Sequence, residues 1–266
     1  MIISASRRTD VPAWHARWLM EQLRAGKTRV KNPFHPAIEK EVILRKEDVD
    51  CIVFWTRNAR PLLPYLEEIR EAGYPLLFLY TVTPYGADLE PGFPPLGKRL
   101  AGLAELASML PKGTVIWRYD PIIFTPLYNE RFHKEQFAEL AEHLKNYVFR
   151  CITSFVQFYR KCYNNLTRCG AYDPPVEVKL ELLQSLIQIA RSNGIMLQAC
   201  SLKEDLSASG VLPGACIDAG LINSLLGLNI IPKKDPGQRK ACLCTLSIDI
   251  GGYGTCHSKC VYCYAR

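Results

Sequence analysis

Three cysteines, Cys256, Cys260 and Cys263, fall within eight residues in the string Cys256-His257-Ser258-Lys259-Cys260-Val261-Tyr262-Cys263-Tyr264. Thiolates at this C-x3-C-x2-C spacing can wrap one face of a cubane iron–sulfur cluster and leave the fourth iron open to a small molecule. The competing chemistry is zinc. A structural zinc ion takes four protein ligands, usually from two C-x2-C-like knuckles, and this motif supplies three. Ligand count and spacing therefore favour the cluster. His257, inside the loop, reads as solvent-facing or supporting rather than as a ligand.

A second group comprises Cys200, Cys216, Cys242 and Cys244. Cys200 closes a strand-like run, Cys216 follows a Pro-Gly turn, and Cys242-x-Cys244 precedes the main motif. Four thiols approaching one end of the fold can hold an auxiliary iron–sulfur cluster or a structural zinc ion, and either would pin the segment 205–238. The alternative is four small apolar residues in the core. Cys51 and Cys151 open strands and read as core. Cys162 and Cys169 read either as surface thiols or as substrate-loop residues.

The elements that must position these groups are legible as alternation. Short β-branched or aromatic runs at 2–6, 51–56, 76–83, 114–120, 151–158, 195–201 and 244–250 alternate with segments of 3.6 period, the pattern of a parallel α/β fold. Most of the runs are apolar on both faces, as covered strands are. The first helix is expected over 12–25, with Asp10 near its N-cap and Gly26 at its stop. Others carry Leu62, Leu66 and Ile69; Leu100, Leu103 and Leu106; Phe137, Leu140 and Leu144; and Leu182, Leu186 and Ile189. No repeat or linker divides the chain. The reading is one barrel-like domain over 1–266, with a cysteine-rich segment at 200–266.

With 48% apolar residues in 266, such a domain builds its core without disulfides. No run is long enough to cross a membrane, and the first residues lack the apolar stretch of a signal peptide. A cytoplasmic location follows as the expectation, where 11 cysteines stay reduced and clustered ones read as metal ligands. The net charge of +7 favours anionic partners. The basic runs, at 27–31 and 233–234, are too short to define a nucleic-acid surface.

C-x3-C-x2-C with an aromatic, Tyr262, before its third cysteine resembles the signature of the radical S-adenosylmethionine superfamily. Tyr262-Cys263-Tyr264-Ala265 is similar to the branch containing the spore photoproduct lyases. The stretches Ser6-Arg7-Arg8-Thr9-Asp10, Asn32-Pro33-Phe34, Trp117-Arg118-Tyr119-Asp120-Pro121 and Asp249-Ile250-Gly251, with the strand at 49–56, resemble an uncharacterised bacterial family with this cluster at its C-terminus. The superfamily resemblance implies a [4Fe–4S] cluster on Cys256, Cys260 and Cys263 and S-adenosylmethionine on the open iron. It also implies a 5′-deoxyadenosyl radical acting on substrate and an electron donor such as flavodoxin or ferredoxin.

It further implies a parallel (β/α) barrel or partial barrel, circularly permuted here, since the cluster loop follows the last expected strand instead of the first. A helix normally follows the third cysteine in that superfamily, and here the sequence runs only to Arg266. Arg7, Thr9 and Asp10 after the first strand, Arg118 and Asp120 at the end of the fourth, and Tyr262 are the candidates for holding the cofactor. Read without the resemblance, Asp10 caps a helix and Arg118–Asp120 is an interior ion pair. The substrate class suggested is a small molecule, nucleotide or nucleic acid. The rival readings are a zinc- or iron–sulfur-bearing binding module without turnover, and a metal-independent enzyme using Arg–Asp groups.

Overall fold

In the computed structural model, which describes every residue but Pro33, Phe34, Pro36 and Lys203, apolar strands and amphipathic helices alternate. The chain runs β1 (Ile2–Ala5), α1 (Val11–Trp14), α2 (Ala16–Ala25), β2 (Lys27–Lys31), β3 (Glu39–Ile43), β4 (Cys51–Thr56), α3 (Leu66–Glu71), β5 (Leu76–Thr81), α4 (Leu96–Met109) and β6 (Val115–Ile122). It continues through α5 (Glu130–Leu144), β7 (Arg150–Phe155), α6 (Tyr163–Arg168), α7 (Val176–Ser192), β8 (Met196–Cys200), β9 (Leu212–Gly214), α8 (Ala219–Leu226) and β10 (Ile248–Asp249). Within the Asn32-Pro33-Phe34 stretch, the last two positions lie outside the described residues.

One sheet of eight strands organises the molecule, in the order β10-β1-β4-β5-β6-β7-β8-β9, with every neighbouring pair parallel. The sheet is open. Strands β10 and β9 are its edges, and no ladder among the described residues joins them into a barrel. The last strand does lie beside the first, with Ile3 opposite Ile248 and Ser4 opposite Asp249. The sequence suggested a strand over 244–250; only Ile248 and Asp249 pair with β1, because Thr245 instead donates its N–H to Ile217 O at 2.8 Å.

Side chains alternate across the pleat, so each strand feeds two cores. Ile3, Phe54, Phe78, Trp117 and Tyr119 point to the helix side and meet Leu19, Leu66, Leu103, Phe137 and Leu186. Phe54 stacks on Phe78 at 4.6 Å between centroids, and Trp117 on Phe137 at 4.8 Å. On the other face Ile2, Val53, Leu77, Leu79, Ile116 and Ile152 are covered by Ala215, Cys216, Ile217 and Ile222 and by Cys242 and Cys244. The chain after β9 thus returns across this face to reach β10, and its own side chains occupy the space that a closed barrel would enclose.

Two local outcomes differ from the sequence reading. The helix expected over 12–25 breaks at His15 (φ −133°, ψ 25°), and the break sends Trp14 and His15 to the cysteine loop: Trp14 Nε1 donates to Ser258 Oγ at 2.8 Å, and His15 Nε2 lies 3.0 Å from Thr255 O. The basic run Lys27–Lys31 is a strand paired antiparallel with β3, where Arg29 faces Glu41 and Lys31 faces Glu39. Opposite charges across the ladder neutralise it. No described helix is long and apolar enough to cross a membrane.

His133 on α5 is fully buried, with Tyr119 Oη 2.8 Å from Nδ1 and Ile123 O 3.0 Å from Nε2. A carbonyl only accepts, so Nε2 carries the proton and Nδ1 accepts from the tyrosine. Burial pushes the imidazole pKa down to about 4, against a smaller opposing effect of the Ile123 carbonyl. The unfolded chain therefore binds a proton at His133 that the folded chain refuses. The contribution to stability is fully present above about pH 6.5 and is lost as pH falls toward 4, roughly 3 kcal/mol at 1.36 kcal/mol per pKa unit. Asp10, raised by burial to about 6, acts with the opposite sign between its unfolded value of 3.8 and 6. Comparing urea unfolding of wild type and His133→Gln between pH 7.5 and 4.5 isolates the histidine: the wild type should lose more stability than the variant as pH falls, and parallel curves would show that His133 does not titrate this way.

Candidate functional site

The C-terminal ends of the parallel strands carry the polar residues. Along the face covered by the cysteine-rich segment, apolar Ile2, Val53, Leu79, Ile116 and Ile152 give way to Ser4, Trp55, Thr81, Arg118 and Ser154. The alternation that puts Arg118 on this face also puts Asp120 there. The register between β6 and β7 shifts between Tyr119 and Ile122, next to Asp120. Such a bulge re-aims the side chains beside it. Arg118 pairs with one oxygen of Asp120, and Ser154 Oγ donates to the other.

Asp249 on β10 ties the two chain segments at this end. Its carboxylate accepts from Ser4 Oγ at 3.0 Å, Ser6 Oγ at 2.6 Å, Arg7 N at 2.8 Å and Gly251 N at 3.0 Å. At Gly251 a Cβ would lie 2.0 Å from Ser6 Oγ, so only glycine lets the chain turn here toward the cysteines. The tail then crosses the strand ends. Gly92 N donates to Ser258 O at 3.1 Å, Val261 N to Leu89 O at 3.0 Å, and Tyr264 Oη to Arg7 O at 3.1 Å.

A buried charge network receives Tyr262. Glu90 Oε1 accepts from Thr83 Oγ1 at 2.7 Å, Arg57 Nη1 at 2.7 Å and Tyr262 Oη at 2.6 Å, while Oε2 accepts from Arg99 Nη1 at 3.1 Å. Arg57 Nη2 also reaches Tyr262 Oη at 2.5 Å and Asp120 O at 3.2 Å. Burial opposes the charge on Arg57, but Glu90, Tyr262, Cys260 and Asp120 together outweigh it and hold the guanidinium protonated. Burial likewise keeps the Tyr262 phenol well above its ordinary range, so it is a hydrogen-bond donor here. Sequence reasoning missed Glu90 because it lies in a loop outside any periodic run, and its partners are 7 to 172 residues away.

The residues singled out for the cofactor divide in two. Asp10 is spent on the backbone: Oδ1 accepts from Ala13 N at 3.1 Å and Oδ2 from Arg57 N at 2.9 Å, so its capping role is the one realised. Arg7, Thr9 and Arg118 carry unspent capacity. Arg7 Nη2, Thr9 Oγ1 and Arg118 Nε are buried without a hydrogen-bond partner, as is Ser201 Oγ just past β8. Buried polar atoms are seldom left so. The two guanidiniums flank one ring, with Arg7 Cζ 5.2 Å and Arg118 Cζ 4.8 Å from the Trp55 centroid. Cation–π contact fixes both forks while leaving N–H groups for an anion.

The three loop cysteines sit beside this mouth. Cys260 is buried, and Cys256 and Cys263 are half-buried. Burial pushes the Cys260 thiol up to about 12, with Arg57 pulling the other way. Burial also raises Cys263, whose sulfur accepts from Ala265 N at 3.4 Å. His257 is exposed and packs edge-on against Trp14. The second group shares one buried cluster, in which Cys200 Sγ is 3.7 Å from Cys216 Sγ. Among the described residues, no group of three or more His, Cys, Asp or Glu side chains is placed so as to hold a metal ion. Soft thiolates that take up iron–sulfur units or zinc, beside a buried cation, are nonetheless a donor set suited to such a group.

The chain belongs to the family described as a domain of unknown function, DUF1848, which matches residues 2–265. No curated protein and no solved structure matches it.

Replacing Glu90 by Gln leaves Arg57 and Arg99 buried beside a neutral partner and should cost about 3–5 kcal/mol of unfolding free energy. Tyr262→Phe deletes one hydrogen-bonding hydroxyl and should cost about 1 kcal/mol. Denaturant unfolding measures both. Equal, small losses would show that Glu90 is not the hub of the network.

Proposed function

We propose that this protein is a radical S-adenosylmethionine enzyme whose cluster loop, Cys256 to Cys263, is carried after the last strand of a circularly permuted parallel α/β fold. The observation that supports it most is the set of unpartnered donors on Arg7, Thr9 and Arg118, beside the loop that carries three thiols. The parallel pairing of β10 beside β1 favours the permutation, because it lets a loop after the last strand serve as a loop before the second. We read the open sheet as the counterpart of the superfamily's partial barrel.

Bound there, a [4Fe–4S] cluster and S-adenosylmethionine would supply one-electron cleavage of the cofactor to a 5′-deoxyadenosyl radical, which takes a hydrogen atom from substrate. The rest falls to the chain. Cys256, Cys260 and Cys263 give up their protons to become ligands. Arg57, whose charge acts on Cys260, offsets part of the negative charge that the thiolates gather. Tyr262, anchored to Arg57 and Glu90, walls the loop and contributes no further anion. Arg7 and Arg118 present guanidinium N–H groups to the cofactor carboxylate, the pairing that a planar fork makes best. Thr9 Oγ1 is free to accept from its ammonium. Asp10, with both oxygens occupied, holds the Arg57 backbone instead.

The electron would come from a flavodoxin- or ferredoxin-like donor in the cytoplasm. The substrate class that the positive balance and the Tyr-Cys-Tyr string favour is a nucleotide or nucleic acid.

Protein reconstituted without oxygen should be brown and hold about four iron and four sulfide per chain. Cys256→Ala, Cys260→Ala or Cys263→Ala should each abolish that chromophore. Dithionite-reduced protein should convert S-adenosylmethionine slowly to 5′-deoxyadenosine. Arg118→Gln should weaken cofactor binding by roughly 1.5–3 kcal/mol, about 10- to 150-fold, with the iron content unchanged. A colourless protein with zinc and no sulfide on these three cysteines defeats the proposal. A fully loaded cluster that never cleaves the cofactor points to a binding module.

A further inference from the structure

The four cysteines outside the cluster loop come from three separate stretches of chain. Cys200 ends β8, Cys216 stands between β9 and α8, and Cys242 and Cys244 precede β10. All four are buried, at 7%, 3%, 5% and 2% exposure. Burial alone is ordinary for cysteine. Convergence of four thiols from three stretches on one cluster is not required by packing, because each could have faced a different apolar neighbour. Instead all four lie in one buried cluster on the covered sheet face, Cys200 Sγ stands 3.7 Å from Cys216 Sγ, and Cys244 Sγ accepts from the N–H of Ile217, the residue next to Cys216.

We propose that Cys200, Cys216, Cys242 and Cys244 bind one zinc ion as a closed, structural tetrathiolate site, separate from the cluster loop. Sulfur spacing separates zinc from a second cubane. Zinc–sulfur bonds of about 2.3 Å in tetrahedral geometry put the sulfurs about 3.8 Å apart. Cubane ligands bind different irons, so their sulfurs stand about 6–7 Å apart. The Cys200–Cys216 distance of 3.7 Å is the zinc value. It is also far beyond the roughly 2.05 Å of a disulfide.

Ligand number agrees, because four thiolates complete the coordination of zinc and leave no position for substrate. The surroundings suit a negatively charged centre. Ile217 N donates to Cys244 Sγ at 3.5 Å, and the Arg118 guanidinium is near enough to interact electrostatically with Cys216 and Cys200. Backbone N–H groups and cations around the ligands are what tune and orient such sites. Cys216 hydrogen-bonds with Cys200, and the four thiols are not set round one point as metal ligands are. Structural zinc sites form with their metal, each thiol losing its proton as it binds.

The consequence for the fold is specific. The chain between Cys200 and Cys244 covers the apolar sheet face with α8 and few strand hydrogen bonds, β9 having three residues. A zinc ion at this point would join the end of β8 to both ends of that covering segment.

The full chain with Cys256, Cys260 and Cys263 all replaced by Ala isolates the site, and it does so whether or not the radical reading holds. Purified from zinc-supplemented cells, this variant should contain about one zinc per chain and no sulfide by elemental analysis. Cobalt substitution should give the intense visible bands of a tetrahedral tetrathiolate. Adding Cys216→Ser should remove the metal and lower the melting temperature. Should that variant fail to accumulate, X-ray absorption on the zinc-loaded triple variant should still report four sulfur neighbours at about 2.3 Å. Iron with sulfide in the triple variant, a Cys200–Cys216 disulfide, or a folded metal-free chain with four thiols open to alkylation would each overturn the assignment.

Discussion

The carboxylate of Asp249 is the constraint on which the rest of the arrangement depends. It gathers two hydroxyls and a backbone N–H from the end of β1 and a backbone N–H from the turn at Gly251, so the first strand and the last meet at one charged point. That meeting sets where the chain enters the cysteine loop above the strand ends. With it, Tyr262 arrives at Glu90, Tyr264 at the Arg7 carbonyl and Ser258 at the backbone of Gly92. The close approach at Gly92, where a Cβ would sit 2.4 Å from Ser258 O, belongs to the same docking.

The sheet supplies the chemistry through its polarity. A parallel strand shows one face to the helices and another to whatever covers it, and on the second face these strands turn from apolar to polar along their length. Charged and hydroxyl side chains collect at the C-terminal ends, where parallel α/β proteins bind ligands. Burying Arg57, Arg99 and Glu90 together costs desolvation that only mutual pairing offsets. Glu90 is saturated, whereas Arg7, Arg99 and Arg118 each keep a buried N–H without a partner. Of these guanidiniums, Arg7 and Arg118 are held on the ring of Trp55.

Much of this was visible in the sequence for a physical reason. Strands buried on both faces must be apolar runs, so β1, β4, β5, β6, β7 and β8 were readable. Gly26 and Gly194, both with φ of 67°, marked the ends of α2 and α7. The hairpin of β2 and β3 was not readable, because alternating lysine and glutamate on an exposed face looks like scattered surface charge. Strand β10 was overextended because Cys244 to Ser247 are apolar or small enough for a strand but serve the covering segment instead. At the site, the cysteines announced themselves by type and spacing. Glu90 and Asp249 did not, since a lone carboxylate acquires its meaning from partners up to 245 residues distant.

The position of β10 also sets the order in which the molecule can be built. The partner of β1 on one side, β4, is complete at residue 56, whereas the partner on its other edge comes only with residues 248 and 249. During that interval the nascent sheet offers an open strand edge and an uncovered apolar face, the two features that invite wrong association. The time between the first and the last strand is when the growing chain most needs protection from its neighbours.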